Sequence, residues 1–337
     1  MDFNQLIFTK EYDFLRDNEH LNNKIIFLTL GGSYAYGTNI EGSDIDIRGC
    51  ALNSKNDLIG MGSFEQVVDE KTDTTVYSFN KLVSLLINCN PNTIEMLGCK
   101  KEHYIYMTPI GQELIDHASM FLSKRASISF HGYAGAQLRR LENNLARHSY
   151  EDLEKERHIM GSVQSAINTF CDRYTEFDNG SIKLHIEKSN SKELEEEIMV
   201  DVNLSNYPLR DYKNIWSEMN EIVKTYGKLN HRNRKKDDLH LNKHAMHLIR
   251  LYLMCIDILE KEQIITYRAN DLELLMRIRH GFYQKEDGTF DSSFFDMLRE
   301  YEKRLDYAEK NTSLPKNPDY KKIEEFVMSV NERSILY

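Results

Sequence analysis

Residues 28–48 read Leu-Thr-Leu-Gly-Gly-Ser-Tyr-Ala-Tyr-Gly-Thr-Asn-Ile-Glu-Gly-Ser-Asp-Ile-Asp-Ile-Arg, and two features in this stretch can do chemistry. Asp44 and Asp46 stand two positions apart in a β-type run, and strand side chains at i and i+2 project to one side. The two carboxylates therefore point together, with Ile45 and Ile47 on the opposite, buried face. Adjacent carboxylates repel each other unless a cation or a shared proton stabilises them. Hard oxygen ligands of this kind suit Mg²⁺ or Mn²⁺. Upstream, Gly31-Gly32-Ser33 opens a helix-compatible segment whose backbone N–H groups and hydroxyl suit a phosphate. Gly32 lets a phosphate approach the backbone closely, and Ser33 donates to it. A phosphate turn beside paired metal ligands is the equipment of phosphoryl or nucleotidyl transfer. By parity Arg48 shares the face of Asp44 and Asp46, where pairing with a carboxylate is its expected role.

A second group lies in Leu239–Leu251. Lys243, His247 and Arg250 fall at i, i+4 and i+7 of a predicted helix, hence on one stripe, while Leu241, Ala245, Leu248 and Tyr252 form a packing side. A partly buried cationic stripe needs a negative partner, and a triphosphate at the mouth of the metal site is one. His240 and His244 have helical spacing, but no Glu follows the first as a zinc-protease motif requires. Three further segments carry polar residues of interest. Glu95, in Asn90–Leu97, is read as structural. Tyr133 shares a helix face with Gln137 and Arg140. Arg277 and Arg279 sit in the last turn of a helix ending at Gly281, where they favour the helix dipole or reach an acceptor.

The elements that must position these residues read as follows. A helix over 5–18 leads into a strand, Ile25–Leu30. Asp57–Gly62 reads as a loop, and Phe64–Asp69 and Thr74–Phe79 read as strands. Helices follow at Asn80–Asn88 and Thr93–Leu97, the second capped by Asn92 or Thr93. The alternation of strand and helix ends near residue 115. Beyond about 120 the periodicity is mostly helical, with a polar interruption around 178–210. The charged run Lys192–Glu197 reads as a solvated helix face.

The bulk properties narrow the class. The chain has 337 residues, 41% apolar and 28% charged, as expected of a soluble globular protein. The N-terminus lacks the basic start and apolar stretch of a signal peptide, and no run is long enough to span a bilayer. Cys50, Cys89, Cys99, Cys171 and Cys255 show no metal-ligand spacing and fit free thiols in a reducing cytoplasm. A net charge of −10 argues against a broadly basic, nucleic-acid-coating surface.

Gly32-Ser33, the spacer, and Asp44-Ile45-Asp46 resemble the signature of the DNA polymerase beta-like nucleotidyltransferase superfamily. The longer string Gly-Ser-Tyr-Ala-Tyr-Gly-Thr with Gly-Ser-Asp-Ile-Asp is similar to the YcgL-type, RNA-repair-associated nucleotidyltransferases. So are Asn90–Leu97 and the Lys-His-x-x-His-Leu-Ile-Arg-Leu stretch from 243. The resemblance implies an α+β fold: a polymerase-beta-like palm, a mixed β-sheet with flanking helices, over 1–120, then a mostly α-helical nucleotide- and acceptor-binding domain over 121–337. It implies a third carboxylate on a neighbouring strand, best placed at Asp73 with Asp69 and Glu70 as alternatives. Asp44, Asp46 and Asp73 would then be the catalytic metal ligands, and Gly32, Ser33, Lys243, His247 and Arg250 the nucleotide-binding residues. The implied activity is Mg²⁺- or Mn²⁺-dependent transfer of a nucleoside monophosphate from an NTP, ATP foremost, to a hydroxyl, with release of pyrophosphate. RNA is the implied acceptor. Adenylylation of a protein or small molecule, or silent nucleotide sensing, are the alternatives.

Overall fold

The computed structural model describes residues 3–149, 182–188, 196–203, 238–286 and 288–336, together with short pieces at 160–161, 164, 209–211, 216–217, 219–220 and 223–224. The chain divides into two compact units. The first comprises Met1–Leu141, Asn242–Gln284 and Phe290–Tyr337; the second comprises Glu142–Leu241 and Lys285–Thr289.

The first unit is built on a five-stranded mixed sheet of order β3-β4-β2-β1-β5. The strands are β1 (Ile25–Leu30), β2 (Ile47–Ala51), β3 (Gln66–Asp69), β4 (Thr74–Ser78) and β5 (Tyr104–Met107). β1 is antiparallel to both β2 and β5, β3 is antiparallel to β4, and β2 runs parallel to β4. Central β1 is buried from Ile26 to Leu30, as a strand covered on both faces must be. On one face Leu28, Leu30, Ile47, Val76 and Ile105 pack with Ile7, Tyr12, Leu15 and Phe64, and Ile45 joins them partly buried. The predicted opposition of Ile45 and Ile47 to the carboxylates is thus realised.

Helices flank the sheet: α1 (Gly32–Tyr36), α2 (Lys55–Ile59), α3 (Phe79–Ile87) and α4 (Pro109–Asp116). They are followed by α5 (Arg125–Ser149), α6 (Asp238–Lys261), α7 (Leu272–Arg279), α8 (Ser292–Asn311) and α9 (Tyr320–Leu336). The packing side read for α6 is buried at Ala245, Leu248 and Tyr252.

Several expectations need correction. The helix over 5–18 is three short pieces, Phe3–Leu6, Lys10–Tyr12 and Phe14–Asp17, with the backbone extended at Thr9. The loop at Asp57–Gly62 begins inside α2. Ser54 accepts from the Asp57 N–H, and the Asp57 carboxylate accepts from the Ser54 N–H, forming a reciprocal capping box. The helix expected at Thr93–Leu97 is a turn at Pro91–Ile94 continued by a 3₁₀ segment, and its cap is Asn90, which accepts from the Asn92 N–H. β5, at the sheet edge, was not anticipated.

In the second unit the expected helical run is interrupted by an antiparallel pair. β6 (Ile182–Lys188) and β7 (Glu196–Val202) are paired from Ile182↔Val202 to Lys188↔Glu196. Glu196 and Glu197, placed on a helix face by the charge pattern, open β7; residues 192–195, and Cys171, lie outside the described residues. Among the described residues no helix is long and apolar enough to cross a membrane.

The capping box yields a direct check. Ser54→Ala removes the side-chain acceptor at the start of α2 and is expected to lower stability by about 1 kcal/mol. A chemical-denaturation midpoint unchanged from wild type would show that α2 does not depend on this cap.

Candidate active site

The site is set by strand register. β2 and β4 are parallel with Ile47 opposite Thr74, so the residues just before them, Asp46 and Asp73, stand side by side. β1 ends antiparallel with Leu30 opposite Ile47, which brings the Gly31-Gly32 turn to the same edge. There the Gly31 N–H donates to the Asp46 carbonyl at 2.8 Å, and the Ile47 N–H donates to the Asp73 carbonyl at 3.2 Å. Asp44 and Asp46 therefore lie in the approach to β2 rather than within a strand as the alternation implied, and Asp73 stands just before the neighbouring β4.

Gly32 is required here on two counts. Its φ of +51° favours glycine, and a Cβ at this position would sit 1.6 Å from Asp46 Oδ2. The Asp46 carboxylate is thus seated against the turn. Ser33, in the first turn of α1, is half-buried, and its hydroxyl makes no hydrogen bond with the described residues. Asp73 has a φ of +44°, which Asp tolerates better than most residues but which still stores strain.

Arg48 joins the two acids. Its guanidinium lies 3.0 Å from Asp73 Oδ1 and 3.4 Å from Asp46 Oδ1, and it also donates to the Asp73 carbonyl at 2.5 Å. Burial and the adjacent Asp73 push the Asp46 carboxyl up to about 7, against the pull of Arg48 and Lys243. A hydrogen bond from Asp46 and the same two cations hold Asp73 below the usual carboxylate range. The two acids therefore share a proton.

Of the alternatives to Asp73, Asp69 is committed to its turn, accepting from the Thr72 N–H and hydroxyl at 2.9 Å each. Glu70 is exposed beside it. Asp44 is exposed and makes no hydrogen bond or ion pair with the described residues. Three carboxylates do not converge: among the described residues no group of three or more His, Cys, Asp or Glu is gathered as a metal centre needs. The donor chemistry of the close pair nevertheless fits a hard dication. It is all oxygen, and a cation between the two carboxylates would take the place of the proton that Asp46 retains.

The cationic stripe on α6 divides by depth. Lys243 is exposed and acts electrostatically on both Asp46 and Asp73. His247 has a buried Nδ1 without a hydrogen-bond partner, and burial together with Arg250, Lys243, His244 and Arg279 lowers its pKa well below the ordinary range. It is a neutral imidazole. Arg250 is only 6% exposed; it pairs with Glu95 Oε2 at 3.1 Å and lies over the Tyr36 ring at 3.7 Å. Its guanidinium is thus engaged in the interior, against the expectation of a triphosphate ligand. The negative partner that its burial demands is Glu95.

Tyr36 also donates to Glu95 Oε2, and Thr266 donates to the Glu95 carbonyl at 2.6 Å. Glu95 is therefore structural, as the sequence suggested. Sequence reasoning left Tyr36 without a role; its signal is its place at the end of the Gly-Ser-Tyr-Ala-Tyr motif. Tyr133, half-buried, accepts from Asn90 at 3.1 Å. Arg279 is buried and donates to the Thr38 carbonyl at 2.6 Å, fixing the chain that leaves α1.

A glycine-built turn seated on a carboxylate pair is an arrangement whose chemistry suits nucleotidyl transfer. Residues 9–160 match the family model of RlaP, the RNA repair pathway DNA polymerase beta family. The polymerase-beta likeness read from Gly32-Ser33 and Asp44-Ile45-Asp46 is borne out over that segment, which supports a nucleotidyltransferase of this type. Searches of curated proteins and of solved structures returned no significant match.

Two outcomes follow from this geometry. Glu95→Ala leaves Arg250 buried without its carboxylate and is expected to cost about 3–5 kcal/mol, measured by denaturant unfolding. Asp46 is held protonated to about 7 when folded, against 3.8 as a free side chain. Its contribution to metal-free stability is therefore full at low pH and is lost as pH rises through about 7. The metal-free melting temperature should fall from about pH 4 to about pH 7 and level off above that, and Asp46→Asn should flatten that slope. An Asp46→Asn slope equal to wild type would remove Asp46 as its source.

Proposed function

We propose that the chain is a nucleotidyltransferase that moves a nucleoside monophosphate from an NTP, ATP foremost, to a hydroxyl at an RNA end, releasing pyrophosphate. The observation that carries this reading is the register that sets Asp46 beside Asp73 beneath Gly32. The sheet of residues 1–120 serves as a polymerase-beta-like palm, and residues 121–337 supply nucleotide and acceptor contacts.

Asp46 and Asp73, with exposed Asp44 on the same approach to β2, are the oxygen donors that would hold Mg²⁺ or Mn²⁺. When bound, the metal would acidify the attacking hydroxyl and neutralise the triphosphate. Ser33 offers its hydroxyl to a phosphate oxygen, and Gly32 leaves room for that approach. Lys243 contributes a mobile point charge toward the triphosphate. Arg48 keeps the two acids parallel and screens their repulsion. His247 and Arg250 act from the interior: Arg250 positions Tyr36, and so the end of the phosphate-turn helix, through Glu95. The neutral His247 fills the space between Lys243 and Arg250 on the same helix.

The test supplies each α-labelled NTP, Mg²⁺ or Mn²⁺, and RNA, protein or small-molecule acceptors, and follows the label. Elongated RNA is the expected product. Asp46→Ala and Asp73→Ala should each lower transfer by three orders of magnitude or more, roughly the scale of losing an essential charge-stabilising group. Lys243→Ala should raise KM for the NTP more than it lowers kcat. Label on polypeptide would replace the RNA reading by protein modification, and nucleotide binding without transfer would replace it by sensing.

A further inference from the structure

Helix α7 ends in a turn that presents an unusual pair of side chains. The Gly281 N–H donates to the Ile278 carbonyl at 3.0 Å, and the Phe282 N–H reaches back to the Arg277 carbonyl at 3.0 Å. With φ of +79° at Gly281, this is a Schellman cap. Such a cap normally seats an apolar residue at the position of Phe282 against an apolar one at the position of Arg277. Here the helix partner is Arg277, whose guanidinium lies 3.8 Å from the centroid of the Phe282 ring.

The phenyl ring remains 63% exposed. Arg277 is exposed as well and makes no ion pair among the described residues, although Glu273 stands one turn before it. Tyr283 meets the ring edge-on, with centroids 5.2 Å apart. One face of the aromatic ring is thus covered by a cation while the residue stays largely exposed. That is the construction of a stacking platform for a nucleobase, with a guanidinium available to the adjoining phosphate.

The platform is fastened to the candidate active site. Arg279 of the same helix donates to the Thr38 carbonyl, just after α1. On the other side Asn242 donates to Gln284 Oε1 at 2.8 Å, and Asn242 Nδ2 would lie 2.9 Å from a Cβ at Gly281. Asn242 immediately precedes Lys243, the cation that acts on Asp46 and Asp73. We propose that Phe282 and Arg277 form a stacking platform that receives a base near the end of a single-stranded polynucleotide acceptor. This rests on the polynucleotide arm of the function proposed above. Exposed Arg277 at the platform and exposed Lys243 near the carboxylates supply positive charge. Local charge therefore suits a phosphodiester chain although the protein as a whole is acidic.

The test is fluorescence anisotropy of the full chain with a short labelled single-stranded RNA, in parallel with binding of a labelled NTP. Phe282→Ala should weaken RNA binding by about tenfold or more, the scale of losing one stacked base. Phe282→Trp should restore it, and both variants should bind the NTP as wild type does. Arg277→Lys keeps the charge but loses the planar stack, and should weaken RNA binding as well. A DNA strand of the same sequence that binds equally well also supports the platform and widens its ligand to single strands of either kind. RNA affinity unchanged in Phe282→Ala, or no binding of either strand by the wild-type chain, overturns it. Label transfer is scored separately: transfer to RNA with a neutral Phe282→Ala removes the platform alone, whereas RNA binding without any transfer removes the enzyme reading alone.

Discussion

The buried carboxylate of Glu95 is the constraint on which the first unit is organised. It receives the Tyr36 hydroxyl and the Arg250 guanidinium on one oxygen, and its backbone carbonyl receives Thr266. Those partners come from the phosphate-turn helix, from α6 and from the segment after α6. An ion pair so deeply desolvated adds little net stability compared with apolar residues of the same volume. Its effect is on specificity of arrangement: any packing of α6 that separates Arg250 from Glu95 leaves a charge buried and unpaired. The pair therefore selects one placement of α6, and with it the position of Lys243 relative to the carboxylates.

Around that link the backbone closes the same contact a second and third time. Arg268 N–H donates to the Tyr36 carbonyl and Thr266 N–H to the Gly98 carbonyl. Gly98 has no room for a side chain, since a Cβ would meet the Ile264 carbonyl oxygen at 2.3 Å. A second buried pair, Arg268 with Asp257, ties the segment after α6 back onto α6 itself. Residues 264–268 thus act as a strap between α6 and the end of α1. The strap explains why Gly37 must be glycine: its φ is +79°, and a Cβ would lie 2.5 Å from the Tyr267 ring.

Legibility in the sequence followed the range of the physics involved. The Gly31-Gly32-Ser33 turn and Asp44-Ile45-Asp46 were readable as a family likeness because the residue types that carry it lie close together in the chain. Elements with strong local patterns, β1, β4 and α3, were found to within a residue or two at either end. Edge strand β5 was missed because four residues beside a helix start carry too little periodicity. α2 was read as part of a loop because Gly60 and Gly62, just after it, outweighed the Ser54–Asp57 box. Asp73 came from family likeness, since nothing local distinguishes it from Asp69; it is the parallel pairing of β2 with β4 that separates them.

The stripe of Lys243, His247 and Arg250 shows where helical spacing stops being informative. Spacing fixes the direction in which side chains leave an axis, but not how deep the axis lies along its length. α6 enters the unit at Asn242 and is buried by Arg250, so one stripe runs from solvent to interior. Lys243 is exposed and acts electrostatically on the carboxylates. Four residues on, burial beside other cations leaves His247 neutral. At Arg250 the buried guanidinium is met by Glu95. The same three residues thus divide into an exposed cation beside the carboxylates, a neutral imidazole and an internal ion pair. The division is set by distance from water, which no single-helix pattern contains.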